Sequence, residues 1–168
     1  METNELLERY AAGERQFQGV DLSGAVLDEA DLSGIDLSGA NLSEAKLSSA
    51  NLSSANLSSA NLSNAVLSEA ELGNAVLRDA NLSGANLNVA RLSSANLSSA
   101  DLSGANLSGA VLSKANLTKA NLTQANLSWA DLFQANLMEA NLTDADMNMA
   151  IIIGTRFKGA TMPDGTQR

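Results

Sequence analysis

The side chains that most often carry catalysis are scarce in this chain. It has no His and no Cys, so the commonest general base, the commonest transition-metal ligand and every thiolate are missing. Serine is abundant, but a serine nucleophile needs a base beside it. Ser113-Lys114 is the sole adjacent Ser–Lys pair, and in so serine-rich a chain it reads as coincidence. Paired carboxylates could do acid–base work or touch calcium. Glu69 with Glu71 and Asp144 with Asp146 have the spacing, yet both pairs are expected to flank exposed corners as solvated charge. No EF-hand loop or glycine-rich nonapeptide repeat supports calcium, and no phosphate-cradling loop or dinucleotide fingerprint occurs. The expectation is a non-enzyme with no catalytic, cofactor-binding or metal-binding residues.

Composition sets what must position any other kind of site. The 168 residues are 45% apolar but only 3% aromatic, with a formal net charge of −9. A core is affordable, but it must be built from Ala and Leu packed by repetition. The opening METNELLERY lacks the basic and apolar regions of a signal peptide, and no apolar run approaches a membrane span. A cytoplasmic protein without membrane contact is expected.

The period of the chain is five. Leu occupies every fifth position from Leu22 to Leu142, and the frame extends to Phe17 before it and to Met147, Ile152, Phe157 and Met162 after it. Two residues ahead of each of these slots stands a small residue, nearly always Ala; Arg15, Val20, Ile35 and Thr155 are the exceptions. On an α-helix a step of five winds around the surface instead of forming a stripe. On a flat strand it alternates faces. A chain that turns a corner once per repeat resolves the conflict, with Leu and the preceding Ala pointing inward.

The Ala-Asn/Asp-Leu-X-X pattern resembles the pentapeptide-repeat family over about residues 15–162. That resemblance implies an all-β fold: a right-handed parallel quadrilateral β-helix, a solenoid with 20 residues per coil. With coils ~4.8 Å apart, as strands are, the rod is roughly 36 Å long. The segments YAAGERQF and GATMPDG resemble the leader and tail of cyanobacterial members, some of which act in regulating cell differentiation. Uniform repeats of this kind are also unusually designable.

The chain divides into a capping helix within residues 1–14, repeats over 15–162 and a tail over 163–168. Leu6 and Tyr10 fall one helical turn apart beside Leu7 and Ala11, early Glu2 and Glu5 suit the helix start, and Gly13 suits its end. Such a helix would cover the exposed end of the stack. Pro163-Asp164-Gly165 is a turn signal that ends the pattern.

Folding the sequence at period 20 turns it into columns. Asp21, Asn41, Asn61, Asn81, Asp101, Asn121 and Asn141 form one, along which side-chain amides can hydrogen-bond. An ice-binding face wants threonine ladders, and only Thr118, Thr123 and Thr143 fill the relevant slot. Trp129 and Met149 share an outward column, Phe133 and Ile153 share another around the next corner, and Met138 follows on the adjoining side. These five form the candidate interaction patch, suited to a protein partner or to a homodimer through the C-terminal coils. Many family members dimerise that way. Ten acids and three bases fall in residues 1–50, whereas residues 51–130 carry four of each. The acidity disfavours direct binding to nucleic acid. It leaves an alternative function implied by other family members, mimicry of DNA to bind a type II topoisomerase (gyrase), for which the charge is uneven. The leading expectation is a non-enzymatic scaffold or protein-interaction module.

Overall fold

A computed structural model describes residues 1–168. Parallel β-bridges join each residue that precedes an interior slot to the residue 20 positions later, from Gln16–Asp36 to Asn141–Thr161. Four bridges per 20 residues make a four-sided coil. In the first coil, side 1 is Gln16–Val20, side 2 Asp21–Ala25, side 3 Val26–Ala30 and side 4 Asp31–Ile35. Each side carries a single bridge and then turns, so the chain holds isolated bridges instead of extended strands. That refines the expected all-β description: the β contacts run between coils, one residue wide on each side.

One repeat shows why Asn or Asp precedes Leu. In Ala80–Gly84 the Ala80 N–H closes a turn on the Leu77 carbonyl, and the Asn81 N–H donates to Ala60 of the previous coil. The N–H groups of Leu82 and Gly84 donate to Asp101 and Ser103 of the next coil. The Ser83 N–H donates at 3.0 Å to the Asn81 side-chain oxygen. Backbone groups without partners are costly when buried, and where Asn or Asp precedes Leu its side chain meets the fifth donor of the repeat. Where Val66 replaces Asn, Ser68 has no such acceptor.

The turns require positive φ at their second central residue, the signature of type II. Gly fills that place at Gly24 and Gly104, with φ near +64°. Twenty non-glycine residues also adopt it.

The interior is one cluster of 52 buried residues with no buried polar side chain. Every Leu from Leu22 to Leu142 is at most 2% exposed. Helix α1, Thr3–Ala11, buries Leu6 completely over the first coil. The Tyr10 hydroxyl donates to the Ser33 carbonyl at 2.7 Å, and the Arg15 guanidinium stacks 3.8 Å from the Tyr10 ring centre. No helix is long and apolar enough to cross a membrane.

Candidate protein-interaction surface

The expected patch residues occupy sides 3, 4 and 1 near the C-terminal end. Trp129 and Met149 sit one coil apart at the corner between sides 3 and 4, at 63% and 59% exposure. Around that corner on side 4 stand Phe133 and Ile153, at 37% and 68%. Met138 lies on side 1, beyond the following corner, and is half-buried.

Ile151 and Ile152 are further apolar residues at this end of the molecule, and Val89 lies two coils before Trp129. Ile151 stands where Asn or Asp is usual and is 48% exposed; its departure from the repeat was visible in the sequence. Val89 is exposed in the same corner column as Trp129 and Met149, with Gly109 between them. Ile152 belongs to the interior frame yet is 43% exposed, a correction to its expected burial. The cause is geometric: the chain continues past the seventh coil along sides 1 and 2 only, so nothing lies over sides 3 and 4.

The backbone is open at the same place. The N–H groups of Met147, Met149, Ile152 and Gly154 would donate to a following coil, and none has a protein partner. On side 2 the tail supplies one: Asp144 N–H donates to the Pro163 carbonyl at 3.0 Å. Thr161 and Gln167 form the sole antiparallel bridge.

Backbone conformation adds a second observation. Val89, Trp129 and Met149 have φ of +57°, +61° and +59°, a region costly for residues with a Cβ and most of all for β-branched or bulky ones. Large apolar side chains are held here at the one repeat position where glycine fits best.

The residues weighed for chemistry lie scattered. Glu71 pairs with Arg91 at 3.4 Å, while Glu69, Asp144 and Asp146 are exposed. Ser113 meets Ser93 across coils at 3.1 Å, and Lys114 points outward. The expected amide ladder is present on side 2: Asn41 donates to Asp21 at 3.0 Å, Asn61 to Asn41 at 3.2 Å and Asn81 to Asn61 at 3.3 Å. Bonds from the Ser23 N–H and hydroxyl and from Asn41 hold the Asp21 carboxyl below the usual carboxylate range. Asp36 is lowered as well; burial pushes it up, but bonds from Ser38, Gln18 and Asn56 outweigh that.

Bridges at a constant interval, one residue per side and an interior of stacked Leu define a five-residue-repeat solenoid. Family comparison gives the same class: the model for pentapeptide repeats, in 8 copies, matches residues 16–53, 55–93, 90–128 and 120–159. The chain belongs to the pentapeptide-repeat family. Among solved structures, it is 33% identical to HetL of Nostoc sp. strain PCC 7120, a pentapeptide repeat protein involved in heterocyst differentiation regulation, covering 100% of both chains with a TM-score of 0.45. It is 27% identical to Rfr23 of Cyanothece 51142 over 92% of this chain and 99% of that one, with a TM-score of 0.44. QnrB1, a plasmid-mediated fluoroquinolone resistance protein, shares the fold at a TM-score of 0.64 and 24% identity, covering 88% of this chain and 70% of that one. A search of curated proteins finds no match.

Proposed function

We propose that this chain is a right-handed quadrilateral β-helix that acts as a non-enzymatic scaffold and docks a second copy of itself through sides 3 and 4 of its C-terminal coils. The observation that carries the reading is Trp129 above Met149: two large apolar residues, mostly exposed, in a backbone conformation that disfavours them. Contiguous exposed apolar side chains usually mark contact with another protein or a second copy. Phe133, Ile151, Ile152 and Ile153 extend the exposed apolar surface beside Trp129 and Met149. The N–H groups of Met147 and Ile152 leave the same end open for contact. An isologous contact uses one patch twice and closes the assembly at two.

A topoisomerase-binding DNA mimic would need carboxylates at phosphate-like intervals along a face. No side of this solenoid carries an acid in every coil, so the scaffold reading is the one retained. Sedimentation equilibrium tests it. The protein is expected to run as a dimer and Trp129→Ser, which installs a residue common at this turn, as a monomer. A monomeric wild-type protein, or a variant still dimeric, would refute the interface.

A further inference from the structure

The opposite end of the rod carries a second open edge, and there the surroundings differ. In the first coil the N-terminal segment meets one of the backbone groups that would pair with a preceding coil on side 2 and one on side 4. On side 2 the Met1 ammonium donates to the Asp21 carbonyl at 2.8 Å. On side 4 the Tyr10 hydroxyl donates to the Ser33 carbonyl. Side 1 is where the chain descends from α1. Side 3 has no cover: the Val26 N–H and carbonyl and the Asp28 carbonyl have no protein partner.

Two observations show that this gap is open space. Val26 is 58% exposed. Ala25 and Ala30, at interior positions on either side of it, are half-buried, whereas the alanines in that slot from Ala40 to Ala140 are buried. An open groove of about 530 Å³ between Met1–Asn4 and Asp21–Val26 runs along side 2 and reaches side 3 only at Val26.

We propose that side 3 of the first coil is a docking site for an extended segment of a partner protein that bears Lys or Arg. The edge decides that the segment is extended. Elsewhere on this side each coil pairs with the next through one parallel bridge, as Val26 does with Lys46; a segment laid against Val26 would supply the bridge missing above it, which is β-augmentation. Charge decides that it is basic. Glu2 stands in the groove wall, and Glu29 follows on side 3 without an ionic partner. Asp28 and Asp31 flank the edge, each held by a serine N–H. Lys46, one coil below Val26, and the Met1 ammonium in the groove wall are the cations near the edge, against the four carboxylates Glu2, Asp28, Glu29 and Asp31. This site uses no residue of the C-terminal patch and stands or falls separately from dimerisation.

Binding of a fluorescein-labelled peptide, acetyl-(Lys-Val)4-amide, followed by anisotropy at 150 mM salt, tests the proposal. Saturable binding is expected, with at least a tenfold loss when alternate peptide nitrogens are methylated, because methylation removes the donors without touching the protein. Asp28→Asn/Glu29→Gln should weaken binding severalfold, while Asp144→Asn/Asp146→Asn, which removes the same charge at the far end, should leave it unchanged. Absence of binding would overturn the site. So would equal binding of the methylated peptide, or equal losses in the two double variants, since either outcome reduces the effect to general attraction by an acidic protein. Sedimentation of the same samples reports dimerisation independently.

Discussion

At the scale of the residue, the repeat is governed by two positions that never enter the core. The residue before Leu supplies an acceptor for the following N–H, and the residue two after Leu must accept a positive φ. Asn/Asp and Gly/Ser are therefore common there for backbone reasons. Departures stand out against that background. Val89 is β-branched at φ +57° and 49% exposed, so Val89→Gly should stabilise the protein by about 1 kcal/mol as αL strain is relieved. Chemical denaturation would show a raised midpoint at unchanged slope. A lowered midpoint would mean that Val89 packing over Gly109, whose added Cβ would lie 3.6 Å from Val89, outweighs the strain.

The relevant element is the column, since helix and sheet are nearly absent. The side 2 ladder runs from Asn81 up to Asp21 by amide donors directed toward the N-terminus. It breaks at Asp101, which accepts from Asn121 at 2.9 Å but has no donor for Asn81. Asp101→Asn should join the two halves and add about 0.5–1.5 kcal/mol, the usual net value of a hydrogen bond. A melting temperature that does not rise would contradict this account. Asp21, Asp31 and Asp36 are different, because they head their ladders in the first two coils and accept from Asn41, Asn51 and Asn56. There an acceptor without a donor loses nothing.

For the whole molecule, the lowered carboxyls cluster at one end. The Arg9 hydrogen bond lowers Glu14, and Asp21 and Asp36 are lowered by the bonds described above; of the carboxyls shifted, only Asp164 lies at the tail, where Thr166 holds it down. A carboxyl lowered in the folded state contributes stability above its unfolded pKa and loses it as pH falls through the folded value. The N-terminal coils should therefore loosen first below about pH 4, with α1 and the first coil losing hydrogen-exchange protection before the centre. Uniform loss along the rod would show that these carboxyls do not set the acid response. A solenoid permits such local opening because each coil contacts only its neighbours.

The sequence by itself determined the interior. A large apolar residue every fifth position, preceded by Ala, permits few ways to bury both, and the slots Leu22 to Leu142 are all buried. It also placed the amide ladder, because a fixed period converts chain position into column position. The capping helix was legible too, but which sides the ends leave open was decided by the tertiary structure. Ile152 obeys the interior pattern but is exposed, since burial in a stack depends on the coil above as well as on the residue. Side 3 of the first coil is likewise open although Ala25 and Leu27 fit the interior frame. Periodicity specifies a neighbour at 20 residues; where α1 and the tail lie, and which sides they leave uncovered, is set by three-dimensional packing between segments that share no period.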